Sequence, residues 1–198
     1  MPIPSPKKIA QLLAFLTEME KLKFVQRRIY LTNTRTENDA EHTWSLLMLL
    51  FTFETYFPKK LDRLKMYKLA VIHDVIEVYA GDTFPFNGAE TKTKVKRERA
   101  SLQKISLLLP PDVRREFKSL NNEYMAKKSP EARLVSAFDK IQAIHQNLGA
   151  GGLSYKKHNL NWSQILTYHR PHAELNDLTA AIYQEIFGQM RKRKMLKD

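Results

Sequence analysis

Residues 70–77 read Ala-Val-Ile-His-Asp-Val-Ile-Glu, so two polar side chains, His73 and Asp74, stand side by side in an otherwise apolar stretch. The pattern predicts a buried segment of a helix that runs from about Leu61 to Tyr79. Burying an ionised carboxylate costs several kcal/mol unless a cation or a hydrogen-bond donor compensates it. Two adjacent side chains of metal-ligand type therefore indicate a metal site here.

Two further residues, His42 and Asp139, interrupt apolar helical patterns in the same way. Three helices packed side by side can bring His42, the His73–Asp74 pair and Asp139 to one centre. Thiolate ligation is excluded because the chain has no cysteine. Two imidazoles and two carboxylates suit one divalent ion such as Mn, Fe, Co, Ni or Zn, and the sequence does not select among them.

Two acids follow the His-Asp pair at useful spacings. Glu77 is three and four residues beyond the pair, so on a helix it addresses the same side and could orient or deprotonate a water. Asp82, past the helix end, could handle a proton on the leaving side. The alternative reading is a helix-surface acid and a turn residue.

Three arginines precede His42 in the chain, and one or more could clamp a phosphate in a bidentate manner. They are Arg27, Arg28 and Arg35. For Arg35 the alternative is a local ion pair with Glu37 or Glu41. The remaining histidines fall in polar surroundings and are expected at the surface: His145, His158, His169 and His172.

Helical periodicity dominates the chain and only six residues are glycine, so we expect an all-α, single-domain bundle of several helices. Its core would span about residues 12–147, with a helical extension at about 160–190 and a basic tail at 191–198. The predicted helices cover about residues 7–28, a segment that carries His42 and ends at Pro58, then 61–79, 90–109, 112–126, 130–148 and a last region up to Met190. Ser129 and Pro130 form a helix start signal.

Two predicted helices carry specific burial expectations. The first would turn inward a stripe made of Ile9, Leu12, Leu13, Leu16, Met19 and Leu22. The helix that carries His42 would be buried on most sides, including Trp44 and Phe51. The polar turn at residues 32–39 would cap it.

The net charge of +12 is concentrated in clusters at residues 92–97 and 191–197. A solvated helix face plus a basic terminus is the favoured reading, followed by a basic mouth that attracts small phosphorylated substrates. Polynucleotide binding is disfavoured. Residues 1–8 lack the apolar core of a signal peptide and the longest apolar run, 46–51, is too short to span a bilayer, so we expect a soluble cytoplasmic protein without a membrane partner.

Taken together, the motifs resemble the HD-domain metal-dependent phosphohydrolases, in the branch similar to bacterial 5'-deoxynucleotidases. The resemblance runs from about Leu12 to Asn147. It rests on Arg35-Thr36-Glu37-Asn38, Glu41-His42, His73-Asp74 with Glu77, Gly81-Asp82, and Asp139. It implies an all-helical enzyme, commonly a dimer, in which His42, His73, Asp74 and Asp139 bind one divalent metal and Glu77 and Asp82 serve catalysis.

The resemblance also implies a reaction, the hydrolysis of a nucleoside 5'-monophosphate to nucleoside and phosphate. The family's phosphate-contacting arginine aligns with Arg27, but the next position, tryptophan in the nucleotidases, is Arg28 here. Dinuclear relatives carry further histidines between the His-Asp pair and the final Asp; residues 75–138 contain none, which predicts a mononuclear site. The alternatives are phosphodiester or triphosphate hydrolysis at the same site, and a module that binds nucleic acid or an acidic partner around a structural metal.

Overall fold

The structure is a computed structural model that describes residues 3–196. The predicted domain limits at residues 1–2, and the end of the basic tail at 197–198, lie outside the described residues. Within that range the chain forms ten α-helices. They are α1 (Pro6–Met19), α2 (Asp39–Phe53), α3 (Arg63–Ile72), α4 (Glu77–Ala80), α5 (Gly88–Ser106), α6 (Pro111–Ala126), α7 (Pro130–Gly149), α8 (Leu153–Lys157), α9 (Trp162–Ala173) and α10 (Asp177–Lys192). The all-α prediction is confirmed.

One antiparallel hairpin accompanies the helices. Strand β1 (Gln26–Tyr30) pairs with β2 (Thr36–Asn38), with Gln26 opposite Asn38 and Tyr30 opposite Thr36. The predicted helix over 7–28 is therefore wrong beyond Met19, where a 3₁₀ turn over Glu20–Phe24 leads into the strand. The spacing of apolar residues along one segment carries no information on strand pairing. Here the pairing with β2 stabilises β1 in place of a helix.

Helix α7 lies at the centre of the core. Its residues Val135, Phe138, Ile141 and Ile144 have no exposed surface, and the helix packs against α2, α3, α6, α9 and α10. The predicted start signal is confirmed, because the side chain of Ser129 accepts a hydrogen bond from the backbone N–H of Ala132. This position lets α7 present Asp139 to α2 and α3.

Helix α1 packs at the periphery, so its predicted inner stripe is wrong in part. No residue of α1 is buried, and Leu13 and Leu16 are 58% and 56% exposed. Trp44 and Phe51 of α2 are each 66% exposed. Both helices are apolar on several faces, but the fold covers only the face of α2 that carries His42, Leu46 and Leu50.

The helix predicted over 61–79 breaks in its middle. It ends at Ile72, and the next residues tighten into i→i−3 hydrogen bonds, from Val75 N to Ile72 O (3.2 Å) and from Glu77 N to Asp74 O (2.8 Å), before α4 begins. His73 and Asp74 thus lie in a tight turn after α3. Such a change of helical geometry within a helical segment is frequent at functional positions.

The C-terminal part is more helical than predicted, because the polar stretch before Asn161 contains α8. Helices α9 and α10 begin at capping boxes formed by Asn161 with Gln164 and Asn176 with Thr179. Among the described helices, none combines the length and apolar character needed to cross a membrane.

Candidate metal centre

Three predicted ligands, His42, His73 and Asp139, bring donor atoms within 4.8 Å of one another between α2, the turn after α3, and α7, and the fourth, Asp74, lies beside the two imidazoles. His42 Nε2 lies 3.3 Å from His73 Nε2 and 3.2 Å from Asp139 Oδ1. Asp74 Oδ2 lies 3.0 Å from His73 Nε2 and 3.7 Å from His42 Nε2. All four residues are buried, each at most 8% exposed. Residues that are far apart in the sequence therefore form a single cluster.

Hydrogen bonds fix which nitrogen of each imidazole carries the proton. His42 Nδ1 lies 2.5 Å from Gln142 Oε1, and Gln142 Nε2 donates to Glu37 Oε1 at 2.7 Å. Because the amide must turn its NH₂ toward the acceptor Glu37, its oxygen faces His42, and Nδ1 is the donor. His73 Nδ1 in turn donates to the carbonyl of Ala70 at 2.7 Å.

Both Nε2 atoms therefore present lone pairs to each other and to two carboxylate oxygens. Electron pairs held this close need a proton or a metal ion between them. Burial lowers the pKa of His73, but attraction to Asp74 outweighs it and leaves the pKa above its usual value. The donor set fits a divalent ion, and the Nε2 and carboxylate oxygens of His42, His73 and Asp139 are close enough to share one.

Buried carboxylates outnumber buried cations around this cluster. Glu37, Asp39 and Glu77 join the acidic ligands below 9% exposure, while Arg27, 8% exposed, is the one cationic side chain at that level of burial within residues 3–196. Its Nη1 lies 3.0 Å from Asp74 Oδ2 and 3.3 Å from Asp39 Oδ1. Attraction to Asp74, Asp82 and Asp39 raises the pKa of Arg27 despite the opposing effect of burial. The guanidinium compensates only part of the negative charge.

The two predicted catalytic acids lie beside this centre. Glu77 is 4% exposed, its Oε2 has no hydrogen-bond partner among the described residues, and burial followed by the charges of Asp74, Asp39 and Asp82 raises its pKa well above the usual range. Asp39, Glu77 and Asp82 bring carboxylate oxygens within 4.8 Å of one another. Arg27 already contacts this second acidic group through Asp39 and approaches Asp82 at 4.0 Å. The single-metal expectation stays a prediction.

The three arginines separate. Arg27 is at the centre, Arg28 is an exposed residue at the rim whose Nη2 lies 3.7 Å from Glu90, and Arg35 is exposed and paired with Glu41. Arg35 does not line the cavity described next. Arg35 was interpreted either as a phosphate ligand or as a partner in a local ion pair, and the structure matches the ion pair.

A cavity of about 930 Å³ opens over the cluster, with His73, Asp74, Glu77, Asp82 and Asp139 in its lining. Four lysines also line it: Lys94 of α5, Lys118 of α6, Lys127 just after α6, and Lys140 of α7. Lys140 Nζ lies 2.9 Å from Asp139 Oδ2, and attraction to that carboxylate raises the lysine's pKa although burial alone would lower it. The cavity therefore combines acidic ligands with basic walls.

Several site residues escaped prediction. Asp39, Gln142 and Lys140 carry no helix-interrupting signal, although Lys140 is next to Asp139. Tyr124 was missed too, and its hydroxyl donates to Asp139 Oδ2 at 3.0 Å. These roles depend on contacts between residues far apart in the chain.

The expected surface position of the other histidines is wrong for His169, which is 3% exposed and contacts the Tyr183 hydroxyl through Nδ1 at 3.1 Å. His158 and His172 are half-buried, and His158 lines the cavity. His145 is exposed as expected. Polar sequence neighbours did not reveal the aromatic surroundings of His158 and His169.

Comparison with known proteins gives consistent matches. A family model described as HD domain matches residues 19–179. The chain is 30% identical to the 5'-deoxynucleotidase HDDC2 of Homo sapiens over 137 residues, which is 68% of this chain and 66% of that protein. It is 28% identical to the Xenopus laevis 5'-deoxynucleotidase HDDC2 over 177 residues, 88% of this chain and 87% of that one.

Among solved structures, a protein described as a predicted metal-dependent phosphohydrolase from Magnetospirillum magnetotacticum superposes with a TM-score of 0.89 at 29% identity, and both chains are covered completely. A protein from Pyrococcus horikoshii shares the fold with a TM-score of 0.63 at 24% identity, covering 90% of this chain and 98% of the other.

Proposed function

The chain belongs to the HD domain family, and we propose that it is a metal-dependent phosphohydrolase that releases inorganic phosphate from nucleoside 5'-monophosphates. The observation that carries the proposal is the meeting of His42 Nε2 and His73 Nε2, 3.3 Å apart with their lone pairs facing, beside two carboxylates. The relatives named 5'-deoxynucleotidase support the choice of substrate.

In this proposal His42, His73, Asp74 and Asp139 hold one divalent ion. When bound, such an ion lowers the pKa of a water toward about 7 and polarises a phosphoryl oxygen. Tyr124 and Lys140 each contact Asp139 Oδ2 and keep that carboxylate in place. Gln142 and the carbonyl of Ala70 each accept from an Nδ1, which turns the Nε2 of His42 and of His73 toward the ion.

Glu77 and Asp82 divide the proton transfers. The buried Glu77 has a free carboxylate oxygen and a raised pKa, so it is suited to accept the proton of the attacking water. Asp82, with its side chain 14% exposed, faces the cavity beside Arg27, and its carboxylate lies within 4.8 Å of Glu77. The proton that Glu77 takes from the water is thus passed through Asp82 to the departing 5'-oxygen of the sugar. The reaction then yields a neutral hydroxyl on the nucleoside and free phosphate.

The cationic side chains bind the phosphate. Arg27 lines the cavity beside Asp74, so its positive charge is placed to attract the phosphate, although its buried Nε faces Glu37 Oε2 at 3.4 Å. Lys140 lines the same cavity. Arg28 at the rim is a weaker candidate for phosphate binding, because its Nη2 already lies 3.7 Å from Glu90 Oε1. We assign no substrate contact to Arg35.

A second candidate reaction is hydrolysis of a nucleoside triphosphate at the same centre. The observation in its favour is that three more lysines line the cavity in addition to Lys140, namely Lys94, Lys118 and Lys127. A longer phosphate chain could extend toward them. Release of pyrophosphate or triphosphate from a nucleotide would favour this candidate, and release of single phosphates favours the first.

The test is phosphate release from a panel of ribo- and deoxynucleoside 5'-monophosphates by metal-free protein reloaded separately with Mn, Co, Ni and Zn. We expect turnover with at least one metal and none without metal. Asp139→Asn should abolish it, and Asp62→Asn, a helix cap outside the cavity, should leave it unchanged. No turnover with any metal across the panel would overturn the proposal.

A further inference from the structure

The cavity extends well beyond the reacting centre along one side that carries aromatic rings. Phe84 and Phe86 come from the loop between α4 and α5, His158 follows α8, and Tyr168 belongs to α9. We call these four residues the aromatic wall. All four are half-buried and line the cavity, so parts of their rings face its interior.

The rings of the aromatic wall contact one another in a continuous row. The ring centroids are 4.4 Å apart between His158 and Phe84, 5.4 Å between Phe84 and Phe86, and 5.2 Å between Phe86 and Tyr168. Three elements that are distant in the sequence therefore build one surface. Side chains that only fill a core need not form a continuous row of rings along a cavity.

The aromatic wall is anchored next to the reacting centre. Phe84 follows Asp82 by two residues, and its backbone N–H donates to Glu90 Oε2 at 3.3 Å. Arg97 Nη2 donates to the hydroxyl of the intervening Thr83 at 2.7 Å. A ligand whose leaving oxygen is near Asp82 would reach the wall with the group attached to that oxygen.

The wall carries no permanent charge. Burial lowers the pKa of His158, so the imidazole is neutral at pH 7. The cavity's lysines come from other elements: α5, α6 and the residue after it, and α7. A neutral aromatic surface binds a flat heteroaromatic ring by stacking, whereas the cationic side suits the phosphate.

We propose that the aromatic wall stacks against the nucleobase of the substrate, so that Phe84, His158 and Tyr168 select a nucleotide over a simple sugar phosphate. This inference rests on the proposed function. The competing role is packing alone, since Phe84 and Phe86 also contact the main core.

The experiment compares dAMP with 2-deoxyribose 5-phosphate, which has the same phosphoester but no base. Tyr168→Leu removes a ring from the wall, and Tyr168→Phe is the matched control that keeps it. We expect Tyr168→Leu to raise KM for dAMP roughly tenfold, as for loss of one stacking partner, and to leave KM for deoxyribose 5-phosphate unchanged. Tyr168→Phe should match the wild type on both, and Phe84→Leu should repeat the pattern.

Equal changes on both substrates, or no change on either, would overturn the inference and leave the phosphatase proposal standing. If metal-loaded wild-type protein hydrolyses none of the nucleotides in the panel, the phosphatase proposal fails, and calorimetric titration with deoxyadenosine then tests the wall alone. Binding to the wild type that weakens about tenfold in Tyr168→Leu, but not in Tyr168→Phe, supports the wall. Absent or unchanged binding contradicts it.

Discussion

Gln142 Oε1 lies 2.5 Å from His42 Nδ1, and this contact determines which nitrogen of His42 faces the candidate metal centre. The amide is itself oriented by Glu37, to which it donates at 2.7 Å. A glutamine one turn after Asp139 on the same helix thus prepares a ligand that comes from α2. Partners of this kind contribute substantially to metal affinity in other proteins.

Replacing Gln142 by Leu should therefore weaken divalent-metal binding by about 10- to 100-fold without unfolding the protein. Calorimetric titration of the metal-free variant measures the affinity directly. Gln146→Leu, the same change one turn later on α7 and outside the cavity lining, is the control and should bind as tightly as the wild type. Identical affinities for Gln142→Leu and the wild type would show that the contact does not position His42.

Replacing Glu77 by Gln removes the proposed proton acceptor but none of the four proposed ligands. We expect kcat to fall by about 10²- to 10⁴-fold while the bound metal remains at wild-type content. Elemental analysis measures the metal content, and phosphate release at saturating substrate measures kcat. The exposed Glu116→Gln serves as control. Loss of the metal together with activity would instead make Glu77 a ligand.

Replacing Arg27 should be more costly to the fold than replacing either neighbouring arginine. Its guanidinium compensates Asp74 and Asp39 at 3.0 and 3.3 Å, so Arg27→Met leaves buried carboxylates without their cation. We expect a loss of about 3–5 kcal/mol of unfolding free energy in metal-free protein. Urea unfolding measures it, and Arg35→Met, which removes only an exposed pair, should cost at most about 1 kcal/mol. Equal costs would contradict the assigned burial of charge.

His169 should make the fold sensitive to mild acid. Burial, and then the charges of His172 and Lys140, lowers its pKa to about 3, against about 6.5 in an unfolded chain. Because the unfolded state binds the proton more readily, stability is fully present above pH 6.5 and falls as the pH drops toward 3. Between pH 6 and pH 4, wild-type protein should lose about 2 kcal/mol more than His169→Gln.

Chemical unfolding of metal-free wild type and His169→Gln across that range compares the two slopes. The other acid-sensitive groups are shared, so they cancel in the difference. Parallel curves would mean that His169 is not buried in its neutral form.

The sequence predicted those features whose signals are local. The start signal at Ser129 and Pro130 placed the beginning of α7, and the bounds predicted for α6 and α7 agree with the structure to within one residue, whereas α5 ends three residues before the predicted 109. The prediction of an HD-domain metal-dependent phosphohydrolase is confirmed by the family model and the relatives.

What it did not predict depends on tertiary contacts. Strand β1 forms because β2 pairs with it, and Arg27 is buried because acids from four other segments surround it. Gln142 contacts Glu37 and His42, which lie 105 and 100 residues earlier in the chain. Periodicity carries no information on such pairs.

The most direct test of the metal centre is the anomalous scattering of a crystal grown from metal-loaded protein, with data collected on both sides of the metal's absorption edge. We expect one peak, bonded to His42 Nε2, His73 Nε2 and oxygens of Asp74 and Asp139. A peak among Asp39, Glu77 and Asp82 instead, or no peak between the two imidazoles, would contradict it.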